Sequence, residues 1–144
     1  MKQTIFLGAD HQGFAEKERA KLRLTEAGRN VVDIGAEELK PDDDYPQYAQ
    51  AVAAKVAVGE GIGILFCASG QGMAMAANRL PRVRAALAWT TEVAAESRRD
   101  NDANILVIPA RFVSKDEADA IIGAFLATDF SADERHSRRI EQLG

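Results

Sequence analysis

Cysteine is nearly missing from this chain of 144 residues: a single thiol, Cys67, is all it carries. An internal disulfide is therefore excluded, and a reducing compartment is the expected setting. Long apolar runs are missing as well. None approaches the ~20 residues that cross a bilayer, and the start "MKQTIFLGADHQG" lacks the apolar core and small-residue cleavage site of a signal peptide. These absences predict a cytoplasmic protein with no membrane partner. There is no surplus of positive charge either. Lys and Arg number 18 against 22 Asp and Glu, for a net charge of -4. That balance argues against nucleic acid as a partner and leaves only local basic patches open. Internal repeats and low-complexity segments are absent.

What is present suits one domain over residues 1–144. With 47% hydrophobic and 28% charged residues, the composition is that of a globular protein. A chain of this length buries about two thirds of its unfolded surface. Five short apolar runs stand out: residues 4–9, 30–35, 61–67, 83–89 and 104–110. Most are continuous rather than alternating, as in strands covered on both faces. Helical patterns lie between them, at 14–27, 48–58, 71–79, 91–99 and 114–126, with a last helix at 131–143. The segment from Ser114 begins "SKDE", a serine N-cap with glutamate three residues on. Strands alternating with helices predict an α/β fold, a mostly parallel sheet of about five strands flanked by helices. Such sheets bind ligands beyond the carboxyl ends of their strands, near a switch in strand order. That rule directs attention to the residues after the first, third and fifth runs.

After the third run comes "CASGQGM". It lacks the lysine and Ser/Thr of a phosphate-binding P-loop and the leading glycine of a nucleophile elbow. A strand, a small-residue turn and a helix start remain. Two readings stand: backbone N–H groups gathered to hold an oxyanion, or glycines that permit tight packing. Cys67 is either a buried, inert residue or a thiol whose pKa is lowered by the helix start. Asp10 and His11 follow the first strand. Asp10 is either a helix cap or a partner for sugar hydroxyls, and His11 either a solvated residue or a phosphate contact. In "ERHSRR", Arg135 and Arg139 are four apart and share a helix face. They form an anion site, which Arg111 can join, or a solvated basic tail. Tyr45 stands before a helix with Pro46 at its first position, and either projects its hydroxyl or staples the helix start.

These residues together resemble the ribose-5-phosphate isomerase B family, which includes galactose-6-phosphate isomerase subunits. The resemblance is carried over nearly the whole chain by "GADHQGF", "DYPQYA", "CASGQGMAMAAN", "VRAAL", "NDANIL", "PAR" and "RHSRR". It implies a three-layer Rossmann-like sandwich and a homodimer or tetramer. The C-terminal helix would reach the partner subunit, and the active site would lie at the interface, with no metal or cofactor. The implied reaction is aldose–ketose isomerisation of a small phosphorylated sugar. Cys67 would move the proton between C1 and C2, and Met73, where another branch carries a glutamate base, points to the cysteine branch. Ser69, Gly70, Gly72 and neighbouring N–H groups would hold the enediolate. Asp10 and Tyr45 would handle sugar oxygens, and Asn101 would reach in from the second subunit. His11, Arg111, Arg135 and Arg139 would bind phosphate.

One position departs from the family pattern. The family commonly has a ring-opening histidine where this chain has Asp100 in "RRDNDAN". Ordinary aspartate is ionised at neutral pH, a poor proton donor but still a base toward the anomeric hydroxyl. Asp100 takes over ring opening, or another group or water does, or the substrate is an open-chain sugar phosphate that never needs it. Ribose 5-phosphate is the expected substrate. A tetrose or hexose phosphate is the alternative, and a non-catalytic sugar-phosphate-binding protein the second alternative.

Overall fold

The computed structural model describes residues 3–144. Its sheet has five parallel strands: β1 Thr4–Ala9, β2 Asn30–Asp33, β3 Ile62–Cys67, β4 Ala85–Leu87 and β5 Ile105–Pro109, in the order β2-β1-β3-β5-β4. Six helices connect and follow them: α1 Phe14–Glu26, α2 Tyr45–Ala57, α3 Gln71–Ala77, α4 Thr91–Asn101, α5 Lys115–Ala127 and α6 Glu134–Leu143.

Side-chain alternation along the strands divides the core into two layers. Ile5, Leu7, Ile64, Phe66, Leu106 and Ile108 face α1, α4 and α5. Phe6, Leu65, Cys67, Ile105 and Val107 face α2 and α3. The architecture is the expected three-layer α/β sandwich. β1, β3 and β5 are buried almost throughout, as their continuous apolar runs require. The edge strands are shorter than the runs that announced them. β2 alternates between exposed and half-buried residues, and β4 spans three residues. Each edge strand has one neighbour only, so pairing ends as soon as that neighbour turns away.

Helix boundaries shift where capping decides them. α2 starts at Tyr45, three residues before the expected start at 48, because Asp44 is extended and Pro46 fits the first turn. The capping box at Ser114 and Glu117 is formed. α4 runs to Asn101 rather than stopping at 99, and this places Asp100 on a helix end. Asp102, left-handed at φ 46°, terminates it. Arg84 and Arg98 both grip the Asp102 carboxylate, at 3.3 and 3.1 Å. The last helix begins at Glu134, and none of its residues is buried. It lies against α4.

Candidate active site

From β1 the chain crosses to β2 on one side of the sheet and then returns to β3 on the other. The switch point of this fold thus lies between the carboxyl ends of β1 and β3. Ala9 pairs with Phe66, so the next residues, Asp10 and Cys67, meet there. The Cys67 thiol donates to Asp10 Oδ2 at 3.6 Å. Asp10 Oδ1 accepts the backbone N–H groups of Gln12 at 3.0 Å and Gly13 at 3.3 Å. One oxygen therefore folds the turn into α1 while the other faces the sulfur. The cap and site readings of Asp10 are compatible. α1 itself begins at Phe14, with Gly13 as its N-cap.

The thiol is not activated in the way its position before a helix suggested. Burial pushes the Cys67 pKa up, and the Asp10 charge pushes it further. Backbone N–H groups of Gly70 and Ala68 pull it down and are outweighed. α3 has only seven residues, and a carboxylate in contact opposes its weak dipole. A raised thiol pKa means less thiolate at neutral pH, so thiolate-dependent activity rises with pH into the alkaline range. Ultraviolet absorbance of the thiolate is expected to titrate above the midpoint of a free cysteine, and Asp10→Asn to move that midpoint down. A wild-type midpoint below that of free cysteine contradicts this electrostatic account.

Gly70 holds the turn after Cys67 at φ 79°, a left-handed conformation that glycine adopts without strain. Ser69 Oγ accepts the N–H of Gln71 at 3.4 Å. Met73 is fully buried in the α2–α3 layer. Gly72 has a different purpose: a methyl group there would overlap the Tyr45 ring. The missing side chain seats the Tyr45 ring, 39% exposed, against the start of α3. Gly72→Ala is expected to displace Tyr45 and lower kcat/KM by on the order of 10- to 10²-fold. Thermal unfolding should change little, because the ring can swing toward solvent. A variant with unchanged kcat/KM removes Tyr45 from the site.

His11 is held by a residue that the sequence did not single out. Asp43 accepts both the His11 backbone N–H, at 2.9 Å, and its ring Nδ1–H, at 2.8 Å. The Asp43 hydrogen bond raises the His11 pKa, against burial, and the charges of Asp10, Asp43 and Asp42 add to it. Burial pushes Asp43 up, but hydrogen bonds from His11 and Tyr48 win and hold it below the usual carboxylate range. The imidazolium this favours suits an anionic ligand. The only local signal was the triple aspartate before α2, and spacing does not say which of the three turns inward. Arg111 is exposed at the same edge, its N–H donating to Ala68 O at 3.0 Å; beside it, Ala110 N–H donates to Cys67 O at 2.8 Å.

Asp100, Asn101 and Arg139 form a second group. With His136, Ile140 and Leu143 they line a cavity of 260 Å³ between α4 and α6. Arg138 pairs with Glu134, whereas Arg135 and Arg139 are exposed and have no ion-pair partner among the described residues. This group sits where α4 leads into the amino end of β5, while Cys67 pairs with Pro109 at its carboxyl end. Five residues of strand, about 16 Å, lie between the two groups. The chain thus brings Asp10, His11, Tyr45, Cys67, Ser69, Gly70, Gly72 and Arg111 to the carboxyl end of the sheet. It holds Asp100, Asn101 and Arg139 near the other.

A thiol and a carboxylate meeting at the switch point make this a ligand-handling protein of the doubly wound α/β class. The chain belongs to the ribose/galactose isomerase family, whose sequence profile matches residues 5–143. It is 40% identical over 140 residues to ribose-5-phosphate isomerase B of Mycobacterium tuberculosis, covering 96% of this chain and 86% of that protein. It is 38% identical over 144 residues to the protein of the same name from Escherichia coli, covering 99% and 95%. The crystal structure of a ribose 5-phosphate isomerase from Thermotoga maritima superposes with a TM-score of 0.94 at 38% identity, over 99% of this chain and 98% of that one. Ribose-5-phosphate isomerase B from Mycoplasma genitalium, with bound ribulose 5-phosphate, superposes with a TM-score of 0.93 at 38% identity, over 97% and 93%.

Proposed function

We propose that the chain acts as one isomerase domain, residues 1–144, interconverting ribose 5-phosphate and ribulose 5-phosphate in the cytoplasm. The observation that carries this reading is the Cys67 sulfur at the switch point, against Asp10 and approached by the N–H groups of Ala68 and Gly70. The Cys67 thiolate removes the C2 proton of the open aldose, giving an enediolate. Amides of the loop from Ser69 to Gly72 hold its oxygens while the O2 proton passes to O1, and Cys67 returns the carbon-bound proton to C1. The cycle neither gains nor loses electrons overall, so it needs no cofactor. Asp10 and Tyr45 orient the sugar hydroxyls.

The phosphate site is completed by a second copy of the chain. Unpaired guanidiniums repel each other and suit phosphate oxygens. Arg135 and Arg139 fit this description, but their cluster opens away from Cys67 within one protomer. A homodimer, or a tetramer built from such pairs, brings Asn101, Arg135 and Arg139 of the second copy to His11 and Arg111 of the first. The test is NMR of ribose 5-phosphate in deuterated water. Exchange of the C2 hydrogen, or appearance of ribulose 5-phosphate, supports the isomerase; binding with neither supports a non-catalytic binder. Because Asp100 stands where a ring-opening histidine is usual, a panel of four-, five- and six-carbon sugar phosphates ranked by kcat/KM separates ribose 5-phosphate from an open-chain tetrose phosphate or a hexose phosphate.

A further inference from the structure

We infer that Asp100 and His136 act as a base–acid pair that opens the furanose ring of the substrate; this rests on the isomerase reading above. His136 Nε2 stands 3.6 Å from Asp100 Oδ1. The same oxygen meets Arg99 Nε at 3.4 Å. Asp100 Oδ2 accepts no hydrogen bond among the described residues. The His136 side chain is only 16% exposed and has no other polar partner among them. Both groups line the 260 Å³ cavity that Asn101 and Arg139 share, so the pair opens onto the half-site assigned to the phosphosugar.

Ring opening requires two proton movements at one carbon. The anomeric hydroxyl O1 must lose a proton, and the ring oxygen O4 must gain one. An aspartate carboxylate does the first and not the second. Imidazole, the side chain that changes charge near neutrality, supplies the missing acid. Asp100 Oδ2 takes the O1 proton as the C1–O1 double bond forms. The C1–O4 electron pair moves to O4, which takes a proton from the His136 imidazolium. Both groups end neutral, and once the open sugar has moved on Asp100 gives its proton to solvent while His136 takes one from it, which restores the starting charges. O1 and O4 share one carbon, so the groups that serve them must stand close together, as these two do. A gap of 3.6 Å is longer than a hydrogen bond and leaves each group free for the sugar.

The ketose 5-phosphate lacks a free C5 hydroxyl and stays open, so only the aldose needs the pair. Two rates are measured on His136→Asn, His136→Gln and Asp100→Asn: turnover of ribose 5-phosphate, and solvent deuterium exchange into C1 of ribulose 5-phosphate. All three variants are expected to lose aldose turnover by on the order of 10²-fold and to lose ketose exchange far less. Equal losses in both rates, or undiminished aldose turnover, overturn the inference. A purely structural role lowers both together, and thermal melting identifies a variant that fails to fold. Wild-type protein that performs neither reaction overturns the isomerase reading itself.

Discussion

Cys67→Ala is expected to lower kcat for isomerisation by roughly 10²–10⁴-fold, the usual weight of a general base. Exchange of the C2 hydrogen should fall in parallel, because the step lost is proton abstraction. Binding of inorganic phosphate should persist, since His11 and Arg111 belong to separate loops. The fold tolerates the change: the thiol is small, and its one side-chain hydrogen bond is the long contact to Asp10. Cys67→Ser is a stricter test of chemistry. It keeps the shape and the donor to Asp10, but a hydroxyl ionises far less readily than a thiol. A comparable loss is expected. Exchange at near wild-type rate in either variant removes the sulfur from the mechanism.

Mixing two inactive proteins is expected to restore activity. Cys67 ends β3 at the carboxyl end of the sheet, and Arg139 lines the cavity beside the end of α4 that leads into the amino end of β5, so the proposed site draws one residue from each of two copies. Combine Cys67→Ala and Arg139→Ala proteins, dissociate them and let them reassociate. Half of the resulting dimers are mixed, and each mixed dimer has one site with both native residues. About a quarter of wild-type activity should return. If both residues served the same protomer's site, no mixed dimer would contain an intact one, and activity would stay at the level of the variants. Native mass spectrometry with one variant isotopically labelled confirms that subunits have exchanged.

The two results probe different links. The first asks whether a buried thiol beside a carboxylate does the chemistry. The raised pKa of Cys67 makes that demanding, since only a small thiolate fraction exists at neutral pH. Asp10 contributes to that penalty, yet the register of β1 against β3 leaves it nowhere else to be. The second asks whether residues held near the two ends of the sheet are joined into one site by a second copy of the chain.

Much of this was legible before any coordinates. The core strands announced themselves because continuous burial demands continuous apolar residues, and β1 matches its run at both ends. Ser114 and Glu117 predicted their capping box because its bonds span only three residues. The alternation of strand and helix predicted the parallel sheet that the structure has, and the rule that ligands bind beyond the strand ends directed attention to Asp10, His11 and Cys67. Other facts needed the tertiary structure. Which of three consecutive aspartates holds His11 depends on a loop that packs 32 residues away. The direction of the Cys67 pKa depends on a charge 57 residues distant in sequence. That Asp100 has a histidine at its side depends on α6 lying against α4. Hydrophobic periodicity and capping act over a few neighbouring residues, so the order of amino acids determined them. Coulomb interactions and desolvation act through space, so only the packed chain decided which charges meet.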